Sequence, residues 1–355
     1  MSAIGVVAIG RNEGQRLRRC LESLDGHGLT VVYVDSGSTD DSVALARSLG
    51  VEVVDLDMST PFTAARARNA GFERLLQIDP GVRFVQFLDG DCEVADGWLE
   101  RARGELEDQP RVAIIFGLRR ERFPERSLYN RMADIEWNMP MAWGTPDGTA
   151  QACGGDAMIR AEAFRSVGGY DPTVPAGEEP ELCRRLQRAG WMVVRVDASM
   201  TWHDAAMLRF RQWARRQFRT GYGGLDFTTR FGRGGDNPFR SQIRSARIWG
   251  LGWPLALLVG AAGAGMLGGP IACSSAAGLI ALAPCVQVAR IAARNWSRAG
   301  GGRGALAYGM LAVVGKGFQM AGQLLYIRDR LVGRHARLIE YKFTTPGARQ
   351  TASIP

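Results

Sequence analysis

The chain has 355 residues, room for one full domain and a second region. A hydrophobic content of 46% and a charged content of 23% are ordinary for a globular protein and argue against a disordered or fibrous one. The net charge of +8 sits mostly in the second half, and the six cysteines show neither CxxC pairing nor metal-ligand spacing, so they read as reduced, mostly buried thiols.

Ala3 to Ile9 is a β-branched run that predicts a first strand, followed by the polar loop Gly10-Arg11-Asn12-Glu13-Gly14. The start of the chain lacks a charged n-region and a cleavage site, so no signal peptide is expected. Leu17, Cys20, Leu21 and Leu24 recur at helical spacing, which predicts a helix over 15–24. Leu29 to Val34 predicts a second strand, ending in the turn Asp35-Ser36-Gly37-Ser38-Thr39-Asp40. A helix over 42–49, capped by Asp40 or Asp41, leads to a third strand over 51–56. This alternation argues for a mostly parallel sheet with helices on both faces, whose ligands bind beyond the carboxyl ends of the strands. Asn12, Glu13 and Asp35 fall at those ends. For Asp35 alone a turn role is the simpler reading; three polar strand-end loops together favour a nucleotide pocket, with Asp35 accepting from a base N–H.

Ala64 to Gly71 starts a helix reaching Gln77, and Arg66 or Arg68 in its first turn is placed to meet a phosphate, unless both are surface arginines. The strand Phe84 to Leu88 then runs into Asp89-Gly90-Asp91. Gly90 lets the backbone turn and approach a ligand, and two carboxylates at a strand end suit a divalent cation, Mg2+ or Mn2+. A helix over 98–107 and a strand over 112–118 follow. The stretch 119–149, with Trp137 and Trp143, is irregular and reads as acceptor-side surface or an irregular subdomain. Gln151 to Arg160 is a glycine turn running into a strand, then a helix over 161–167. Gly177-Glu178-Glu179-Pro180-Glu181 opens a helix reaching Ala189; its glutamates are partners of the helix dipole and also candidates for a general base. A strand over 191–196 leads to Thr201-Trp202-His203-Asp204, where His203 is either structural or completes a metal site.

Ten arginines, from Arg209 to Arg247, form a basic collar before an apolar run. Because the collar ends directly in that run, anionic head groups suit it better than nucleic acid. From Ile248 to Ala289 there is no charged side chain, which predicts two membrane spans, 248–267 and 271–289, broken at Gly268-Gly269-Pro270. Arg244 and Arg247 precede the pair and Arg290, Arg294, Arg298 and Arg303 follow it, placing both ends in the cytoplasm. The stretch 305–327 contains Lys316, Gln319 and Gln323 and reads as an interfacial helix, followed by a basic cytoplasmic tail (Arg328, Arg330, Arg334, Arg337, Lys342). The expected organisation is a domain over 1–240 and a membrane region over 241–355.

Arg11-Asn12-Glu13, Asp35 to Asp40, Ala67-Arg68-Asn69-Ala70-Gly71, Asp89-Gly90-Asp91, Gly154-Gly155-Asp156-Ala157 and Gly177 to Leu182 occur in one order. In that order and spacing they resemble the family 2 glycosyltransferases, inverting enzymes of the GT-A fold, over the first two-thirds of the chain. The resemblance implies an α/β GT-A domain, Rossmann-like with a mostly parallel sheet, followed here by helical membrane segments. It implies that Asn12, Glu13 and Asp35 hold the base and ribose and that Arg68 lies near the diphosphate. Asp89 would contact the ribose or the metal, Asp91 would be the principal metal ligand, and Gly155 and Asp156 would lie near the donor sugar or acceptor. Glu179 stands where the family usually has the aspartate base of a Glu-Asp pair, with Glu178 beside it as the alternative base. Gln212-Trp213-Ala214-Arg215-Arg216 only partly echoes the Gln-x-x-Arg-Trp motif of processive members, which predicts single-sugar transfer. The expected partners are a nucleotide-sugar donor, a lipid-linked or glycan acceptor and the inner (plasma) membrane, with a cytoplasmic catalytic domain and no nucleic acid. A nucleotidyltransferase, or a non-catalytic membrane scaffold that binds a nucleotide sugar, is the competing reading.

Overall fold

The structure is a computed structural model that describes residues 3–137, 148–232 and 237–333. Trp143, Arg233 of the collar and Arg334, Arg337 and Lys342 of the basic tail lie outside the described residues.

The first half alternates strand and helix. Strands β1 (Ile4–Gly10), β2 (Thr30–Asp35) and β3 (Glu52–Asp55) are separated by helices α1 (Gln15–Glu22) and α2 (Ser42–Ser48). Helix α3 (Ala64–Ile78) leads to β4 (Phe84–Asp89), the short β5 (Cys92–Val94) and helix α4 (Trp98–Asp108). Val6, Val7 and Ala8 on β1 and Phe84, Val85, Phe87 and Leu88 on β4 are all inaccessible to solvent, so these strands are covered on both faces. That two-sided cover is why they read as near-continuous apolar runs, β4 being interrupted by Gln86, which accepts from the Trp98 indole. Each fully buried phenylalanine contributes about 1.5–3 kcal/mol of transfer free energy. Thr63 caps α3 by accepting from the Arg66 amide, and Asp40 accepts from the Ser42 amide at the start of α2.

Strand β6 (Val112–Glu121), helix α5 (Leu128–Trp137), strands β7 (Gly148–Thr149) and β8 (Ala157–Arg160) and helices α6 (Ala161–Ser166) and α7 (Glu178–Arg188) follow. Strand β9 (Met192–His203) ends this series. The sheet runs β3-β2-β1-β4-β8-β6-β9-β5, with β7 beside β9. β1 to β4 pair in parallel, and β8 enters antiparallel between β4 and β6. The result is a mixed, mostly parallel sheet whose carboxyl edge gathers Gly10, Asp35 and Asp89. Strands β6 and β9 run beyond their predicted ends at Leu118 and Val196, carrying polar residues past the apolar core.

The rest is helical: α8 (Phe210–Phe231), α9 (Arg240–Arg247), a π-helical turn (Ile248–Gly252), α10 (Trp253–Arg294) and α11 (Gly302–Leu331). The helical geometry of α10 breaks at Gly269 (φ 74°, ψ −167°). The two arms fold back on each other, so that the Trp253 indole donates to the Ile280 carbonyl at 2.9 Å. From Arg240 to Arg294 the chain forms one continuous segment long and apolar enough to cross a membrane, and its most apolar window has no buried residues. Helix α11 lies across α8. A Cβ at Gly221 would collide with the Gln319 carbonyl, and one at Gly322 with the Phe218 carbonyl, so the two backbones touch through paired glycines. The polar groups of α11 face the protein: Gln319 donates to Gln217 and Gln323 accepts from Arg247. Its other side exposes Leu306, Met310, Val314, Leu324, Ile327 and Leu331.

Candidate active site

The carboxyl edge of the sheet opens into a cavity of about 390 Å3. Glu13, Arg68, Asp89, Gly155, Asp156, Glu178, Glu179 and His203 all stand on its wall. Among the sequence-predicted residues, Asn12, Asp35 and Asp91 are not on that wall and form a layer behind it.

That layer is held by its own bonds. Asp35 accepts from the Gly37 and Ser38 amides at 3.0 and 2.7 Å and from the Tyr33 hydroxyl at 3.0 Å. These contacts close the Asp35–Asp40 turn. Asn12 adopts φ 54° and accepts from the Thr39 amide at 2.7 Å, tying the first strand-end loop to the second. Glu13 pairs with Arg16 at 2.8 Å. Asn69, from the α3 motif, both donates to the Tyr170 carbonyl and accepts from its amide, so this motif residue anchors a loop.

At the centre is a buried charge network. Arg68, only 2% exposed, donates to Asp89 Oδ1 and Glu178 Oε1, each at 2.9 Å, and Glu179 Oε1 lies 3.5 Å away. Burial works against its charge, but Asp89, Glu179 and Glu178 outweigh burial and hold the guanidinium well above its ordinary pKa. Arg119 donates to Asp156 at 2.7 Å and to Asp89 Oδ2 at 3.0 Å. Asp156, fully buried, also accepts from the Thr201 hydroxyl at 2.8 Å and from the Asp89 amide at 3.1 Å. A Cβ at Gly155 would lie 2.6 Å from Arg68 Nη2 and 2.9 Å from Asp89 Oδ2, so the Gly154-Gly155 turn needs glycine to pass over this network.

Helix α7 presents its first residues to the cavity. Glu178 is buried against Arg68, whereas the Glu179 side chain is 15% exposed and more loosely paired. Burial, then repulsion from Glu178, push the Glu179 carboxyl up to about 7; Arg68 partly offsets both. A carboxyl poised there can exchange a proton near neutral pH.

The opposite wall holds His203. Its Nε2 lies 3.3 Å from Asp91 Oδ2 and its Nδ1 3.6 Å from Glu121 Oε2. The Trp137 ring meets it edge-on, with centroids 4.5 Å apart. Burial lowers the imidazole pKa, but Asp91 and Glu121 outweigh burial and raise it. Asp91, Cys92 and His203 bring one potential ligand atom each within 4.8 Å of one another. A buried carboxylate against an imidazole is a donor set that fits a divalent cation such as Mn2+.

Most other wall residues were not singled out as site residues from sequence, among them Arg119, Trp137, Arg216 and Arg219. Arg119 lies on the polar extension of β6. Arg216 belongs to the partial Gln-x-x-Arg-Trp echo, pairs with Glu136 at 2.7 Å and lies over the Trp137 ring. Its place in that echo was the available signal for its presence here.

A cavity at the carboxyl edge of a mixed α/β sheet, with the first aspartate of an Asp-x-Asp turn on its wall, is the architecture of the GT-A fold. Residues 6–168 match the model of glycosyl transferase family 2. It is 32% identical over 232 residues to a pre-mycofactocin glycosyltransferase of Mycobacterium tuberculosis, covering 62% of this chain and 46% of that one. It is 26% identical over 204 residues to the succinoglycan biosynthesis protein ExoA of Rhizobium meliloti, covering 55% and 59%. The chain thus spans about half the length of these curated relatives. Among solved structures it shares its fold with the mannosyltransferase PcManGT of Pyrobaculum calidifontis in complex with GDP-Man and Mn2+. The TM-score is 0.61 at 17% identity, over 92% of this chain and 88% of that one.

Proposed function

We propose that the chain moves a sugar from a nucleotide-diphosphate donor to a hydroxyl of a membrane-associated acceptor, a lipid-linked sugar or polysaccharide precursor, with inversion. The observation that carries this reading is Glu179 on the cavity wall, pushed up to about 7 and facing the Arg68–Asp89 pair. Glu179 takes the proton from the acceptor hydroxyl as its oxygen bonds to the anomeric carbon. The bond from that carbon to the diphosphate breaks, and its electron pair leaves with the nucleotide diphosphate. Glu178, held by Arg68 at 2.9 Å, repels the Glu179 carboxylate and so keeps it basic. Glu13, with Asn12 and Asp35 behind it, would shape the nucleotide end of the cavity, Asp89 and Arg68 its middle, and Gly155 and Asp156 its sugar end.

Asp91 and His203, with Asp89 adjoining, would hold a divalent metal. Such an ion supplies positive charge for the departing diphosphate when bound. The GDP-Man and Mn2+ of the fold neighbour support both the donor class and the metal. The polysaccharide role in the printed name of the Rhizobium meliloti relative supports a glycan acceptor.

In this reading residues 1–240 form the catalytic domain and residues 241–355 the membrane region. The arms of α10 are two spans, α11 lies along the interface with its exposed apolar side in lipid, and the cavity faces the cytoplasm. The bare apolar arms and that exposed side of α11 support membrane attachment.

The test is the thermal stability of detergent-solubilised protein across UDP, GDP and dTDP, with and without Mn2+. A Mn2+-dependent rise with one nucleotide, absent in Asp91→Ala, is expected. A well-folded sample that no nucleotide stabilises refutes the donor site.

A further inference from the structure

A second cavity, about 420 Å3, lies away from the first, where the end of α10 meets α11 and the π-helical turn. Its wall carries three cations, Arg294, Arg298 and Lys316, and no carboxylate among the described residues. Lys316 donates to Gln319 at 3.1 Å, and Asn295 donates to the Ile291 carbonyl at 2.9 Å. Arg294 and Arg298 are exposed and form no ion pair among the described residues. Trp249, Ile291, Ala312 and Val313 make the rest of the wall apolar. Three like charges around one partly apolar hollow repel each other, and an anion placed among them relieves that repulsion.

Position narrows the choice of anion. The cavity sits at the open end of the α10 hairpin, since Trp249 precedes the first arm and Arg294 ends the second. The arms lead away from it bearing exposed Leu255, Leu282 and Val286. A ligand with a charged head and an apolar chain satisfies both surfaces at once. We propose that this cavity binds the phosphate headgroup of an anionic membrane lipid, whose chains lie along the exposed arms of α10. The inference rests on the membrane reading of the hairpin and is independent of sugar transfer.

Occupancy here has a route to the catalytic cavity. Tyr308, on this wall, belongs to one apolar cluster with Met132 and Ile135 of α5 and Trp213 of α8. Helix α5 ends at Trp137 and α8 carries Arg216 and Arg219, all three on the first cavity's wall. A lipid head filling the second cavity would therefore brace the helices that carry those three residues.

The experiment titrates full-length protein in an uncharged detergent with dioctanoyl phosphatidic acid, dioctanoyl phosphatidylcholine or inorganic phosphate, and reads the melting temperature. Phosphatidic acid is expected to raise it saturably, with the other two leaving it unchanged. The Arg294→Ala/Arg298→Ala double variant should weaken phosphatidic acid at least ten-fold, and Lys316→Gln should weaken it too. The double variant should keep its nucleotide response, so a failure here is distinct from a failure of the donor site. No saturable rise with phosphatidic acid, or an equal rise in the double variant, overturns the proposal. Inorganic phosphate binding as tightly as the lipid overturns the lipid assignment.

Discussion

Replacing Glu179 by Gln tests the chemistry and the electrostatics together. A carboxyl moved from 4.5 to about 7 is biased towards its protonated form by ~3 kcal/mol. The sign follows from proton counting. Between those two values the folded protein holds a proton that the unfolded chain has released, so stability falls as pH rises through that window. Glu179→Gln removes this slope and should gain on the wild type by up to ~3 kcal/mol above pH 7, read from urea unfolding at several pH values. In transfer assays the wild type should lose kcat/KM below about pH 7, retaining roughly a tenth of it one pH unit lower. Glu179→Gln should cost on the order of 10²–10⁴ in rate. Glu178→Gln removes the repulsion that raises Glu179 and leaves Arg68, 3.5 Å from Glu179, with one fewer partner. Its acid limb should therefore move to lower pH. An acid limb unmoved in Glu178→Gln, or wild-type rates in Glu179→Gln, refutes the reasoning.

Further changes test separate parts of the molecule. Arg68→Ala leaves Asp89, Glu178 and Glu179 without their shared cation and should cost about 3–5 kcal/mol of stability, measured by denaturant unfolding. Gly221→Val drives a side chain into the Gln319 backbone and should cost at least ~1–3 kcal/mol, read as a lower melting temperature. Leu258→Lys, at an exposed position on the first arm, should leave the donor site intact and weaken membrane insertion by about 2.5–3.5 kcal/mol. Alkaline extraction of membranes checks it, and unchanged retention counts against the first arm as a span.

The strands of the first half were readable because two-sided cover demands mostly apolar sequence; β1 has no polar side chain and β4 only Gln86 before its closing Asp89. Helix α8 was not readable. Its buried residues mix Trp213, Tyr222, Leu225 and Phe227 with Gln212, Gln217, Asp226, Thr228 and three glycines, so the apolar stripe is interrupted by polar and glycine positions. The polar residues of α11 suggested a wet face, yet Gln319 and Gln323 bond to α8 and to Arg247, and the apolar face is the exposed one. At the site, the motifs foretold which residues gather but not which stand in front. Asp35 and Asn12 spend their acceptors on neighbouring turns, a choice set by backbone geometry that side-chain identity does not encode. Arg119 was hidden because β6 continues past its apolar stretch, where only pairing with β9 keeps the chain extended.

The glycine crossing between α8 and α11 has a mechanical consequence. At Gly221 and Gly322 the two backbones meet directly, with no side chain at those points to absorb displacement. In the proposed reading, with α11 on lipid, a change in its tilt passes through these contacts to α8 and shifts Arg216 and Arg219 relative to the sheet. The thickness of the surrounding bilayer then becomes a variable that the cavity feels. Donor affinity measured in bilayers of graded acyl length should vary with that length, and a flat response would show that the crossing carries no load.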